Sequence, residues 1–129
     1  MLKYAIILLV LVYFGESKIS PSRFYRPETI DIIVNCGKKL GIRFEDFLEN
    51  LEQNAGGLAM KQYNLCGYRS LGMITKDNQI NQELVPKIIA IFFPENPEKI
   101  KKECLKRIRD PLNDTYEISV CIIRLANEV

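Results

Sequence analysis

The chain is predicted to fold as an all-α domain of six short helices. Apolar residues recur at three- and four-residue spacing almost throughout, which is the pattern of helices with one buried face. No stretch alternates apolar and polar residues as a half-buried strand does, and no internal repeat is present. Glycine, proline and asparagine fall between the periodic segments, where they start and stop helices.

The N-terminus reads "MLKYAIILLVLVYFGES". Lys3 supplies a positive start, Tyr4 to Phe14 are an unbroken apolar run of eleven residues, and Gly15 and Ser17 are small residues two apart. This is the pattern of a secretory signal peptide over residues 1–17, cut after Ser17. An uncleaved anchor is the alternative, but a spanning helix needs roughly 20 apolar residues. The domain is then residues 18–129. The most apolar later run, "IIAIFF" (88–93), is six residues, too short to span a bilayer.

After a polar arm, "KISPSRFYR", Pro27 can open the first helix and Gly41 can close it. Ile30, Ile33, Val34 and Leu40 give it an apolar stripe, with Cys36 close to that face. In "RFEDFLENLEQ" (43–53), Phe44, Phe47, Leu48 and Leu51 fall at i, i+3, i+4 and i+7. Asn54 and the Gly56–Gly57 pair end that helix. The third helix runs from Leu58 to Leu71 and stops at Gly72. "MITKDNQIN" (73–81) reads as a polar loop. The fourth helix covers 82–93, with its first turn near Pro86, which has no N–H to donate. Asn96 caps the fifth, with Pro97 at its first position. Ile100, Cys104 and Ile108 share one face of it, and Pro111 ends it. Asp114 followed by Glu117 reads as a capping-box variant for a last helix over 115–127. "IIAIFF" and "ISVCIIRL" are apolar on nearly all sides, so helices four and six are expected at the centre.

The chain has no histidine. Ser-His and Cys-His nucleophilic sites are excluded, as is the usual general base near neutral pH. No paired-carboxylate motif stands out, and the chain reads as non-enzymatic. No Cys-x-x-Cys spacing supplies a tetrahedral corner for zinc, and neither metal nor cofactor is expected. The net charge of +2 does not suggest nucleic acid. Lys99, Lys101, Lys102, Lys106, Arg107 and Arg109 are interleaved with Glu98, Glu103 and Asp110 and read as a solvated face. Docking to an anionic membrane or a receptor is the alternative. "NDT" (113–115) is a glycosylation sequon in a predicted loop.

The four cysteines, Cys36, Cys66, Cys104 and Cys121, allow three pairings. In a secreted chain they form two bridges. Cys104 and Cys121 lie on consecutive helices joined by a short turn and are the natural local pair, which leaves Cys36 with Cys66. Each bridge stabilises by roughly 3 kcal/mol in the loop-entropy account.

The cysteine gaps of 29, 37 and 16 residues, the leader and the helical pattern together resemble the insect odorant-binding proteins of the pheromone- and general-odorant-binding type. That family has six helices and six cysteines. In it, three residues separate the second cysteine from the third and eight separate the fifth from the sixth; the corresponding positions here are Gln62 and Leu112. Those two cysteines pair in the family, so their joint loss resembles its four-cysteine "minus-C" branch. Cys66 then looks like the family's third cysteine, joined to Cys36. "CGYRSLGMITKDNQINQE" and "FFPENPEKIKKEC" are similar to the family's segments after the third and before the fourth cysteine. The resemblance covers residues 27–126. The missing bridge implies a looser hold between helix three and the region of helices five and six. The eight residues after Cys121 are too few for the long C-terminal plug some members use.

The resemblance implies a compact disulfide-linked domain enclosing an apolar cavity. It implies a secreted, extracellular carrier of small hydrophobic ligands (odorant- or pheromone-like alcohols, esters and fatty acids), a monomer or weak dimer with a membrane receptor as a candidate partner. The wall positions expected on inward faces are Ile33, Met60, Tyr63, Met73, Ile74, Leu84, Ile88, Phe92, Ile118 and Ile122. Met60 and Met73 are adaptable, and the Tyr63 hydroxyl is expected to serve an alcohol or ester. With no histidine, binding is expected to respond weakly between pH 7 and 6. The alternative is a secreted effector or venom-type helical protein with a filled core that acts through its surface.

Overall fold

The computed structural model describes residues 27–128. The expected leader and the polar arm after it lie outside the described residues, as does Val129. Among the described residues there are six helices and no strand: α1 (Pro27–Leu40), α2 (Phe44–Gln53), α3 (Leu58–Ser70), α4 (Val85–Phe92), α5 (Pro97–Cys104) and α6 (Pro111–Asn127).

The first four helices start and stop where local chemistry requires. α1 begins at Pro27 and gives way to Gly41, whose φ of 69° lies in the left-handed region that glycine enters without a Cβ clash. Asn54 ends α2 in the same conformation, at φ 48°. Gly72, at φ 75°, turns the chain after α3, and Met73 N–H closes that end on the Tyr68 carbonyl at 2.8 Å. α4 carries Pro86 in its first turn. The Asn81 side chain accepts from the N–H groups of Glu83 and Leu84 (3.1 and 3.2 Å) just ahead of it.

The segment 73–81 is more than a polar loop. Met73, Ile74 and Ile80 are buried, and Ile74 and Ile80 face each other across an antiparallel bridge. The polar residues between them form the tip of a tight turn, with Thr75 N–H on the Gln79 carbonyl at 2.8 Å.

α5 and α6 depart from the expected bounds. α5 stops at Cys104, and Leu105 turns to extended backbone (φ −76°, ψ 129°). The cause lies in the 73–81 segment. Gln79 Oε1 accepts from Ile108 N–H at 3.0 Å, while Gln79 Nε2 donates to the Ile108 carbonyl at 2.7 Å. One side-chain amide thus satisfies both backbone groups of Ile108, as a neighbouring strand would. Ile108 is buried as expected, but it does not sit on α5. Pro111 opens α6 and does not end a helix. Asp110 is the N-cap, and the Asp114 carboxylate reaches back to the N–H groups of Arg109 (2.7 Å) and Asp110 (3.0 Å). The expected Asp114–Glu117 box is therefore one turn late. Asn113 of the sequon stands in the first turn of a helix, where its side-chain oxygen accepts from Lys61 Nζ at 2.7 Å.

α6 is the central element. Eight of its residues are buried, and α3, α5 and α2 pack against it. α4 is not central. Val85, Ile89 and Phe92 point inward, while Ile91 is 48% exposed. An eight-residue helix at the edge of the bundle, packed on α5, needs only one covered face, so apolar residues all round did not place it at the centre. Val34, expected on the α1 stripe, is exposed as well.

The disulfides are Cys36–Cys66, joining α1 to α3, and Cys104–Cys121, joining α5 to α6, with Cα separations of 5.9 and 5.5 Å. Both lie in the usual range, and two bridges indicate an oxidising environment. Three of the six basic residues of the 99–109 stretch are paired with acids: Lys101 with Glu98 at 2.6 Å, Lys99 with Glu128 at 3.7 Å, and Lys106 with Glu117 and Asp114. At the surface such pairs contribute little to stability. No described helix is long and apolar enough to cross a membrane.

Gln79→Ala is expected to lower stability by about 1–3 kcal/mol, since it leaves the Ile108 backbone groups without partners, and to speed hydrogen exchange at the Ile108 amide. Two helical glycines are expected to respond with opposite signs in denaturant unfolding. A Cβ on Gly37 would lie 2.3 Å from the Ile42 carbonyl oxygen, whereas one on Gly67 would meet nothing within 4 Å. Gly37→Ala should destabilise by about 1–3 kcal/mol, and Gly67→Ala should stabilise by about 0.5–1 kcal/mol.

Candidate functional site

Helices α1, α2, α3, α4 and α6 converge on a partly open apolar pocket of about 130 Å³. The α2 stripe supplies Phe44, Phe47, Leu48 and Leu51 as one wall. α4 supplies Ile88, Ile89 and Phe92, with Phe93 just beyond it, and α6 supplies Ser119, Ile122 and Ile123. α1 contributes Thr29 and Ile33, and α3 contributes Tyr63, Asn64, Gly67 and Tyr68, followed by Leu71 and Met73. The Phe47 and Tyr63 rings stack with centroids 4.5 Å apart, and Phe44 continues the aromatic row at 6.3 Å from Phe47.

Of the ten expected wall residues, Ile33, Tyr63, Met73, Ile88, Phe92 and Ile122 line this pocket. The other four are elsewhere. Ile74 and Ile118 are buried in the core away from it, Ile74 held by its bridge to Ile80. Met60 is half-buried at the start of α3, next to Gly56. Leu84 is half-buried beside Gly72.

The Tyr63 hydroxyl, expected to serve an alcohol or ester, has a partner within the fold. It donates to the backbone carbonyl of Ile33 at 3.1 Å in a buried setting, so its proton already serves the α1–α3 contact. The ring remains in the wall.

The polar features of the pocket come from residues that the sequence reading passed over. Asn64, Tyr68 and Ser119 all line it and are all buried. Ser119 Oγ donates to Asn64 Oδ1 at 2.6 Å. Tyr68 and Ser119 hydroxyls are 2.8 Å apart. A hydroxyl has one proton, and that of Ser119 goes to Asn64, so Tyr68 is the donor to Ser119. Asn64 Nδ2 has no hydrogen-bond partner. Burial pushes the Tyr68 hydroxyl pKa up to about 12. A signal for this chain was present in the sequence. Asn64 precedes Tyr68 by one helical turn, and Ser119 precedes Ile122 and Ile123 by three and four residues. Polar residues on inward stripes must find partners.

The volume limits what fits. About 130 Å³ is close to the ~150 Å³ of an apolar cavity that takes up benzene. It is well short of the roughly 300–1,000 Å³ typical of ligand pockets. A longer ligand therefore requires side chains in the wall to move, and Met73 is the most adaptable of them. No protein-family model, curated protein or solved structure matches this chain.

The Tyr68 hydroxyl gives a pH test. Its folded value lies above the ordinary 10.0, so its contribution is fully present below pH 10 and is lost as pH rises toward about 12. Tyr68→Phe is expected to cost about 1 kcal/mol near neutral pH and to lose less further stability over that alkaline interval than the wild type, in denaturant titrations across it.

Proposed function

We propose that the chain is a secreted, non-enzymatic carrier that takes small, neutral, mainly apolar molecules into an internal cavity formed from this pocket. The observation that carries the reading is a pocket of nearly all apolar lining at the point where five helices meet. Native interiors leave few voids larger than a water molecule, and an apolar pocket with a few converging polar groups is the usual form of a small-molecule site. The resemblance to minus-C odorant-binding proteins, the two-bridge pattern and the leader-like N-terminus support the same reading.

The lining narrows the ligand class. Among the described residues its only ionisable side chains are those of Tyr63 and Tyr68, with no lysine, arginine or carboxylate. A fatty-acid carboxylate would be buried there with no cation to pair with, which is costly. Alcohols, esters and other neutral molecules suit the wall, and fatty acids suit it only when protonated. The small volume favours a second reading, a filled-core secreted effector that acts through its surface.

Titration of the oxidised protein with a fluorescent apolar probe, followed by competition with neutral and anionic ligands of equal chain length, separates the two. The carrier reading expects saturable one-site binding, displacement by the neutral ligands, and little change between pH 7 and 6, since the chain has no histidine. A folded monomer with both bridges intact that binds no probe would favour the filled core.

A further inference from the structure

The geometry points to Asn64 as a hydrogen-bond anchor that selects ligands carrying an acceptor oxygen, a ketone, aldehyde or ester carbonyl, over alkanes and over alcohols. This rests on the carrier reading and specifies its ligand class. Asn64 is 4% exposed, and its Nδ2 has no partner. A buried donor without an acceptor carries a desolvation penalty that a matching oxygen relieves. The neighbouring groups do not supply one. Ser119 Oγ already accepts from Tyr68 and gives its own proton to Asn64 Oδ1.

The direction of the chain adds to the donor strength. Protons run from Tyr68 to Ser119 and from Ser119 to Asn64 Oδ1. Each bond polarises the next. Two hydroxyls thus pull electron density toward the amide oxygen, and Nδ2–H becomes a better donor. The same chain favours this orientation of the amide, because a flipped Asn64 would donate to Ser119 Oγ and leave one of the two hydroxyl protons without an acceptor in the chain. Tyr68 and Ser119 are therefore positioning residues, and the contact to ligand is through Asn64. The rest of the wall is apolar apart from Thr29 and the Tyr63 hydroxyl, which donates to Ile33, so a ligand with one carbonyl and an apolar body matches it, while an alcohol can accept the same N–H but also brings an O–H proton that Nδ2 cannot take up.

The test is displacement of a bound fluorescent apolar probe by an alkane, a methyl ketone and a primary alcohol of the same chain length, on the wild type and on Asn64→Leu. The wild type is expected to prefer the ketone to the alkane by about 5- to 10-fold, the size of one net hydrogen bond, and to place the alcohol between them. Asn64→Leu should lose the ketone-over-alkane preference, the ratio of the two affinities falling to about 1. Equal wild-type affinity for ketone and alkane, or a preference for the alcohol, would overturn the assignment while leaving the carrier reading intact. No saturable probe binding at all would overturn both. If Asn64→Leu does not fold, the wild-type side-chain amide resonances of Asn64 carry the same test. A shift with ketone and none with alkane is expected, and identical spectra with both would contradict it.

Discussion

Helix α6 has to be covered on most of its circumference, and the other helices are arranged to do it. Tyr116, Ile118, Ile122, Ile123 and Leu125 are all buried, and a fully buried side chain of this size contributes roughly 1.5–3 kcal/mol. α3 covers one side, α5 another and α2 a third. The two disulfides act on this arrangement. Cys104–Cys121 fixes α5 directly to α6, and Cys36–Cys66 fixes α1 to α3, which in turn lies on α6. Neither bridge spans from α3 to α6. That contact is held by packing and side-chain hydrogen bonds, with Lys61 to Asn113 at one point and Asn64 and Tyr68 to Ser119 at another.

The pocket follows from how that contact is made. Asn64 and Ser119 are short polar residues on faces that are otherwise apolar, and they join α3 to α6 through hydrogen bonds. The aromatic row of α2 and the inward face of α4 close around them. Hydrogen bonds fix distance and orientation where interdigitating side chains would otherwise fill space. The pocket that results is small, with Asn64, Tyr68 and Ser119 grouped as a polar patch in a mainly apolar wall.

Much of the fold was legible because its punctuation is local. Pro27, Gly41, Asn54, Gly72 and Pro86 act through their own backbone chemistry, and a reader of the sequence sees them directly. α5 and the start of α6 were misjudged for two reasons. The non-helical segment Leu105–Ile108 is clamped at Ile108 by Gln79, a residue far away in sequence, and no local pattern announces such a clamp. Asp110–Pro111 marks a helix start, but locally Pro111 fits a helix end equally well. Within the pocket, six wall residues were found by apolar spacing. Asn64, Tyr68 and Ser119 escape apolar spacing because each carries a polar group, and a polar group on an inward stripe marks a wall only once its partners are known. Burial, which separates Tyr63 bonded to Ile33 from Asn64 left with a free N–H, is a property of the packed structure.

A crystal of the oxidised protein equilibrated with xenon gas tests most directly whether the α2–α3–α6 junction holds usable apolar space. Xenon enters dry apolar cavities of this size. The account predicts one ordered xenon atom against Phe47, Tyr68 and Ile122. Side chains packed through that position, with no xenon there while the rest of the core is well ordered, would contradict it.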